Sequence, residues 1–404
     1  MRRSVQPSAA RARRHAVAAA TLTPAWLASA LGGCASPPQT DARPANATAP
    51  GAADPSPRTP SAPVPVAGGD AALPPADAVL TRIAFGSCAH QDKPQPIWDA
   101  ILAARPELFV FAGDNVYGDA YGPQAAADDG SLPVLRAAYA KAAGIPGLAR
   151  LRAQVPHVAT WDDHDYGRND GGAEFAHKRT AQRLFADFWR LPADDPRRRR
   201  DGVHHAWAFG PAGRRVQVVV LDTRFFRSAL RPTDQRNAPG RERYLPDDDP
   251  AKTMLGTAQW DWLAQRLREP ADLRLLVSSV QLLAEGHGWE RWGNLPRERA
   301  RMLALLRDTG ARDTIVLSGD RHIGALYRET VPGLRRPLTE ITSSGLTEAF
   351  SANREPGPNR LGDVVGERNF GMVAIDWTRR TAALTLRAAD GRTLRATDVA
   401  FGAD

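Results

Sequence analysis

Short apolar runs that end in polar, chemically reactive tips recur along the chain, and this repetition constrains the fold more than any other feature. Residues 82–85 lead into Gly86-Ser87-Cys88, and residues 108–111 lead into Gly113-Asp114. Runs rich in branched and aromatic residues that stop at such tips are typical of buried strands. Further runs of this kind occupy residues 157–160, 216–221, 275–277 and 314–317.

Segments with the 3.6-residue periodicity of amphipathic helices separate these runs. They comprise residues 97–105, 134–143, 178–190, 259–268 and 297–307. Because strand and helix alternate, the sequence predicts an α/β fold with buried, largely parallel strands. Near the C-terminus, residues 370–378, 382–388 and 393–400 instead predict an antiparallel meander joined by tight turns. We therefore expect two sheets packed face to face, with the helices outside.

Residues 1–34 carry the features of an export signal. A basic start is followed by a stretch of small apolar residues and then by Leu31-Gly32-Gly33-Cys34, which resembles the lipobox of bacterial lipoproteins. An ordinary cleaved signal peptide is the alternative, and Arg13-Arg14 leaves both the Sec and the twin-arginine routes open. We expect an exported protein, periplasmic or at the cell surface, that meets the membrane only through a lipid on Cys34.

Residues 35–78 are rich in Pro, Ala and Thr and poor in large apolar side chains, so we expect a disordered tether there and a folded domain over residues 79–404. The chain has only two cysteines. If Cys34 is lipidated, Cys88 has no partner for a disulfide. In an oxidising compartment a lone thiol is a liability, so we interpret Cys88 as either buried core or a metal ligand.

The excess of basic residues raises the question of nucleic-acid binding. The chain has 53 Lys and Arg against 45 Asp and Glu, a formal charge of +8. The densest basic run, residues 197–200, has no interleaved aromatic residues, so we predict solvated surface and no specific nucleic-acid recognition.

Residues 225–250 lack periodicity and are longer than an ordinary connection between elements, which leaves a lid over the site and a plain surface loop as alternatives.

The polar tips are expected to meet, because ligands bind beyond the carboxyl ends of strands in open α/β sheets. Two tips carry most of the chemistry, Asp162-Asp163-His164-Asp165 and Gly319-Asp320-Arg321-His322. In an extended segment, alternating Asp320 and His322 lie on one side of the chain. Acids gathered in a cleft repel one another unless cations neutralise them. Together the tips suit a two-metal hydrolase.

In their order along the chain, these motifs resemble the alkaline phosphatase D (PhoD-like) family of metallophosphoesterases. The match includes Phe85-Gly86-Ser87-Cys88, Gly113-Asp114 with Tyr117, Trp161-Asp162-Asp163-His164, Leu221-Asp222-Thr223-Arg224, Ser278-Ser279-Val280-Gln281, Ser318-Gly319-Asp320-Arg321-His322 and Thr342-Ser343-Ser344-Gly345-Leu346. The resemblance implies a calcineurin-like four-layer αββα sandwich of two mixed β-sheets, similar to purple acid phosphatases. Some members have an additional N-terminal β-sandwich domain, which we expect to be missing here.

The resemblance also implies a ferric ion beside calcium. We assign iron to Cys88, Asp114, Tyr117 and His322, because thiolate, phenolate and imidazole are good ligands for a Lewis-acidic transition metal and poor ones for calcium.

We assign calcium to Asp114, Asp163 and Asp320, whose hard oxygens it prefers. Asp114 then bridges the two ions. Gln281 is a further group that touches a metal directly or supports its ligands.

The expected reaction is the attack of a metal-bound hydroxide or oxide on a phosphate ester screened by the metals. His164 would assist the leaving oxygen or hold a phosphate oxygen. Arg321 would pair with phosphate oxygens, and Asn169 would reach the same group. Arg224 is expected in a buried ion pair that supports the site.

Three functions follow in order of preference. The first is hydrolysis of small or polymeric phosphate esters, monoesters or diesters, by a monomer. The second is a phosphodiesterase or phospholipase D-type activity with little monoesterase action. The third is a non-catalytic surface lipoprotein that only binds phosphate or metal, and it is disfavoured because a pure binder has no need of His164 beside a metal ligand.

Overall fold

The structure is a computed structural model that describes residues 69–353 and 355–402. The predicted signal segment 1–34 with its lipidation site Cys34, and residues 35–68 of the predicted tether, lie outside the described residues. Within the described ranges, no helix has both the length and the apolar character needed to cross a bilayer.

Strands and helices alternate over most of the described chain. The strands are β1 (Arg82–Gly86), β2 (Leu108–Ala112), β3 (His157–Thr160), β4 (His205–Phe209), β5 (Val216–Val220), β6 (Arg231–Pro232), β7 (Tyr244–Leu245), β8 (Leu273–Ser278), β9 (Thr314–Ser318), β10 (Gly324–Glu329), β11 (Leu338–Ser343), β12 (Asn369–Asp376), β13 (Thr381–Ala388) and β14 (Thr393–Ala400). The α-helices are α1 (Ile97–Ala103), α2 (Pro123–Ala126), α3 (Pro133–Ala143), α4 (Pro146–Gln154), α5 (Asp163–Tyr166), α6 (Lys178–Phe188), α7 (Gly256–Leu267) and α8 (Pro296–Asp308).

Two six-stranded mixed sheets form the centre of the fold. The first has the order β14-β13-β12-β1-β2-β3, with β1, β2 and β3 parallel and the predicted C-terminal meander antiparallel beside them. The second has the order β10-β11-β9-β8-β5-β4, with β11, β9, β8 and β5 parallel and antiparallel strands at both edges. The prediction of largely parallel strands followed by a meander is confirmed.

Three apolar layers hold the sheets and helices together. The middle layer, which includes Phe85 and Val277, lies between the two sheets. The second packs the first sheet against α1, α3, α4 and α6 around Trp98, and the third packs the second sheet against α7 and α8 around Trp260. All four of these side chains are at most 2% exposed. The predicted four-layer αββα sandwich is confirmed.

The parallel strands of both sheets send their carboxyl ends to the same edge. A hydroxyl of the second sheet, Ser279 Oγ, donates to Asp162 Oδ1 of the first sheet at 2.6 Å. Thr160 Oγ1 donates to the carbonyl of Leu221 at 2.7 Å. These buried hydrogen bonds join the strand ends across the sandwich, so the polar tips of the two sheets meet as the sequence predicts.

Strand β11 was not predicted, because its sequence Leu-Thr-Glu-Ile-Thr-Ser lacks an apolar run although every residue in it is buried. Its central acid, Glu340, accepts the backbone N–H groups of Leu282 and Leu283 at 3.1 and 2.5 Å. A buried carboxylate that accepts hydrogen bonds in this way is tolerated in a strand. Because its partners are distant in sequence, the strand could not be recognised from its own residues.

The folded domain begins earlier than the predicted boundary at residue 79. Asp70 accepts two hydrogen bonds from the guanidinium of Arg152, at 3.0 and 2.6 Å, and Ala71 N–H donates to the Arg152 carbonyl at 2.7 Å. Arg152 is 2% exposed, so it requires a charged partner. Residues 69–78 therefore pack on the domain, through an ion pair that composition alone does not indicate.

Gly371 provides a test of the packing between β1 and β12. It lies opposite Phe85, and a Cβ at residue 371 would lie 2.0 Å from Phe85 Cε1. We expect Gly371→Ala to lower the free energy of unfolding by about 2 kcal/mol, because the buried ring has no space to move into. Gly144→Ala is the control, since its Cβ meets nothing closer than 3.4 Å. Equal denaturation midpoints for the two variants would contradict this packing.

Candidate metal centre

Four of the predicted metal ligands leave their strands in left-handed backbone conformations. The φ angles are 65° at Cys88, 50° at Asp114, 70° at Asp320 and 53° at His322. Non-glycine residues rarely adopt positive φ, and such conformations cluster at functional sites where the surroundings enforce them. Here each tight turn follows a strand end, which gives the four side chains a fixed direction at the shared edge.

Three of these side chains meet in a cluster that we call the thiol cluster. Ligand atoms of Cys88, Asp114 and His322 all lie within 4.8 Å of one another. Cys88 Sγ is 3.4 Å from Asp114 Oδ2, and the hydroxyl of Tyr117 is 3.0 Å from His322 Nε2. The structure thus brings together all four residues that the sequence assigns to iron.

A second group of acids adjoins the thiol cluster, and we call it the carboxylate cluster. Asp114, Asp163 and His164 offer ligand atoms within 4.8 Å of one another, and Asp162, Asp163 and Asp320 do the same. Asp163 is common to both sets, and Asp114 also belongs to the thiol cluster. The predicted calcium residues therefore lie beside the predicted iron residues, with Asp114 between them.

Burial makes four of these groups costly to ionise without a cation. Desolvation raises the pKa of the Cys88 thiol well above its usual value, and the nearby Asp114 carboxylate raises it further. Desolvation likewise raises the pKa of Asp114, Asp320 and Tyr117. A bound cation favours the ionised form of each ligand. Sulfur, imidazole and phenol on one side and carboxylates on the other thus fit two adjacent metal ions of different character.

Asp165 holds the metal-binding turns in place, a role that the sequence did not reveal. Its fully buried carboxylate accepts the backbone N–H groups of Asp114 and Asn115, each at 3.2 Å, and that of Asp162 at 2.6 Å. Burial raises the pKa of Asp165 to about 8. The residue belongs to the Asp-Asp-His-Asp motif, but the motif does not distinguish ligands from supports.

Arg224 forms the buried ion pair predicted from the sequence. The side chain is fully buried, its Nε lies 2.5 Å from Asp162, and its Nη1 lies 2.7 Å from Glu290. Arg227 adds a second guanidinium at 2.9 Å from Glu290. Asp162 is thereby held by positive charge supplied by the protein itself. Glu290 belongs to no recognisable motif, so its role could not be predicted from the sequence.

His164 lies at the carboxylate cluster with a fixed ring. Its Nδ1 contacts Asp119 Oδ2, and its ring stacks on Tyr117 with 4.1 Å between centroids. Burial alone would lower the pKa of His164, but the carboxylates of Asp163, Asp114 and Asp119 raise it well above its usual value. The contacts with Asp119 and Tyr117 therefore hold the imidazole in a fixed orientation. Asp119 was missed because nothing in its local sequence marks it.

The remaining predicted residues divide between the cleft beside the metal centre and the interior. Arg321 lines the cleft, pairs with Glu355 at 2.7 Å and lies over Trp289. Asn169 lines the same cleft.

Gln281 is fully buried, and its amide nitrogen donates to Tyr327 and Thr342 at 3.1 and 3.0 Å, while its oxygen faces His287 at 3.1 Å. These contacts favour a supporting role for Gln281 over direct contact with a metal.

Residues 225–250, which we call the arm, form one wall of a cleft of about 1020 Å³ at the metal centre. Strands β6 and β7 pair with each other inside the arm. Tyr244 donates its hydroxyl proton to Asp170 Oδ2 at 2.6 Å, and Asp170 N–H donates to Asp163 Oδ2 at 2.8 Å. Of the two interpretations left open by the sequence, these contacts favour an arm that covers the site.

Comparison with known proteins identifies a family and several relatives of this chain. A family model described as PhoD-like phosphatase matches residues 83–360. Alkaline phosphatase D of Bacillus subtilis (strain 168) is 23% identical over 269 residues, which cover 59% of this chain and 45% of that protein. The chain thus spans less than half the length of this relative.

Solved structures share the fold at low identity. A structure of PhoD superposes with a TM-score of 0.63 at 18% identity and covers 80% of this chain and 69% of its own. A purple acid phosphatase from yellow lupin (Lupinus luteus) seeds gives a TM-score of 0.53 at 12% identity, with 81% and 55% covered. Both agree with the two-sheet sandwich described above. Since the family model extends over more than half of its length, this chain belongs to the PhoD-like phosphatase family.

Proposed function

We propose that this protein hydrolyses phosphate esters with the help of two adjacent metal ions. The observation that carries the proposal is the meeting of the thiol cluster and the carboxylate cluster at Asp114. Membership in the PhoD-like phosphatase family supports the same reaction class. A purely structural explanation would leave the desolvated carboxylates of Asp114 and Asp320 without a salt bridge among the described residues, which is energetically unfavourable.

Iron(III) and calcium are the proposed ions. Cys88, Asp114, Tyr117 and His322 would hold iron, and Asp114 with Asp163 and Asp320 would hold calcium, in keeping with the preferences of soft and hard donors. Bound there, the ions would neutralise the anionic ester and supply Lewis-acid activation of the attacking water.

The side chains around the ions have distinct proposed roles. His164, oriented by its contact with Asp119, donates a proton to the leaving oxygen. Arg321 contacts phosphate oxygens from the cleft, although its pairing with Glu355 means that a substrate must compete for it or share it. Asn169 reaches the same phosphate from the cleft wall.

The sequence also supports a location outside the cytoplasm. We propose that the protein is exported and attached to the membrane through a lipid on Cys34. We also propose that the enzyme is a monomer and does not recognise specific nucleic acids. Mass spectrometry of the mature N-terminus distinguishes an acylated Cys34 from an ordinary cleaved signal peptide.

Turnover of two related esters tests the proposed reaction. We expect the metal-loaded protein to cleave both 4-nitrophenyl phosphate and bis(4-nitrophenyl) phosphate, because the cleft leaves space for a second ester group. Removal of the metals with a chelator should abolish both activities. Cleavage of the diester alone would favour the phosphodiesterase alternative. Phosphate binding without cleavage of either ester would favour the non-catalytic binder and contradict the proposal.

Tyr117 and Tyr121 offer a matched pair for the iron site. Tyr117→Phe should abolish the visible tyrosinate-to-iron charge-transfer band, because among the described tyrosines it is Tyr117 whose hydroxyl contacts the thiol cluster, at His322. Tyr121 is 58% exposed at the cleft, and Tyr121→Phe should retain the band. Visible absorption together with metal analysis is the measurement. Zinc as the sole bound metal, or a band that persists in Tyr117→Phe, would refute the iron assignment.

His164 and His90 stack on Tyr117, with centroids 4.1 and 4.5 Å from its ring, but only His164 belongs to a carboxylate cluster. We expect His164→Gln to lower kcat for phenyl phosphate by about 100-fold, as loss of a general acid does. The effect on 4-nitrophenyl phosphate should be smaller, because nitrophenolate leaves without a proton. His90→Gln should show no such dependence on the leaving group. Equal losses on both substrates in His164→Gln would rule out proton donation.

A further inference from the structure

Two arginines of the arm line the cleft without an acidic partner among the described residues. Arg236 makes no hydrogen bond or ion pair within the described chain. Arg243 donates from Nη1 to Asn237 Oδ1 at 2.7 Å and to the Glu242 carbonyl at 3.3 Å, both uncharged acceptors. Arg241, which does not line the cleft, pairs with Asp234. The cleft-facing cations of the arm are therefore available to a ligand.

Arg243 is held in place before any ligand arrives. Its guanidinium carbon lies 4.8 Å from the centre of the Trp289 ring, and that of Arg321 lies 4.7 Å from the same ring. The N–H groups of Arg243 and Tyr244 both donate to the Gly288 carbonyl, at 3.0 and 2.7 Å. A guanidinium fixed by stacking loses little side-chain entropy when it binds an anion.

The two glutamates that line the cleft, Glu242 and Glu355, already have partners. Glu242 turns its carboxylate to the backbone N–H groups of Gly240 and Gly288. Glu355 pairs with Arg321. The arm side of the cleft is thus positive at Arg236 and Arg243, whereas the inner side carries the carboxylates of the metal centre.

We propose that Arg243, supported by Arg236 and Trp289, forms a second anion-binding subsite in the cleft. Its ligand is an anionic group, such as a second phosphate, on the same molecule as the ester that is cleaved. The inference rests on the proposed hydrolysis and specifies its substrate class, which is polyanionic phosphate esters. Guanidinium groups recognise phosphate oxygens through charge-assisted hydrogen bonds, and Trp289 adds a flat apolar surface beside them.

Two chromogenic diesters that differ by one distal phosphate test the proposal. They are thymidine 5′-(4-nitrophenyl phosphate) and its 3′-phosphorylated form, and both release 4-nitrophenol. For the wild-type enzyme we expect kcat/KM to be about tenfold higher for the 3′-phosphorylated ester, mainly through a lower KM, as one charge-assisted contact allows. Release of nitrophenol from either ester verifies the underlying hydrolysis separately.

Arginine variants assign the preference to the subsite. Arg243→Gln should reduce the ratio of the two kcat/KM values to near one, and Arg236→Gln should reduce it partly. Arg241→Gln, on the same arm but outside the cleft, should keep the wild-type ratio. The ratio of the two kcat/KM values does not depend on how much of a variant is folded, because partial loss of folded protein lowers both rates equally.

The result can overturn the subsite without overturning the enzyme. A wild-type ratio near one, or a preference that survives in Arg243→Gln, refutes the subsite even if both esters are hydrolysed. Absence of hydrolysis of either ester by metal-loaded protein contradicts the proposed function itself.

Discussion

Mutual repulsion among buried acidic groups is the constraint on which the rest of this structure depends. Asp114, Asp162, Asp163 and Asp320 lie at one edge of the sandwich, and all but Asp320 are at most 3% exposed. Removing a carboxylate from water costs several kcal/mol in a protein interior unless positive charge or hydrogen bonds offset it. Two buried guanidinium groups lie nearby among the described residues, Arg224 at Asp162 and Glu290 and Arg227 at Glu290. The charge still missing is what bound metal ions supply.

The sandwich architecture makes this arrangement possible. Side chains of both sheets lie at the same end of the strands, and buried hydrogen bonds such as that from Ser279 to Asp162 connect the two sheets there. Positive φ angles at Cys88, Asp114 and Asp320 are sustained because the surrounding turns are themselves fixed. Ligands on rigid strand ends keep their spacing when a substrate enters, while the arm supplies contacts farther from the metals.

How much of this could be predicted from the sequence depended on distance along the chain. Strand ends such as Gly113-Asp114 can be recognised in the sequence, because an apolar run precedes a polar tip and both lie within a few residues. The residues that support the site cannot be recognised in this way, since Asp119 contacts His164 across 45 residues and Glu290 contacts Arg224 across 66. Polar strands such as β11 lack an apolar pattern, because partners distant in sequence satisfy their buried polar side chains. The arm has no periodicity at all, so only the fold reveals that it lines the cleft.

The central claim is that one compact set of side chains holds two different cations side by side. Anomalous diffraction from crystals of the metal-loaded protein, recorded above and below the iron absorption edge, tests it most directly. The account predicts an iron peak within bonding distance of Cys88 Sγ and Tyr117 Oη, and a second ion without an iron edge beside Asp163 and Asp320. A protein crystallised with both metals that shows no anomalous peak at Cys88 would contradict it.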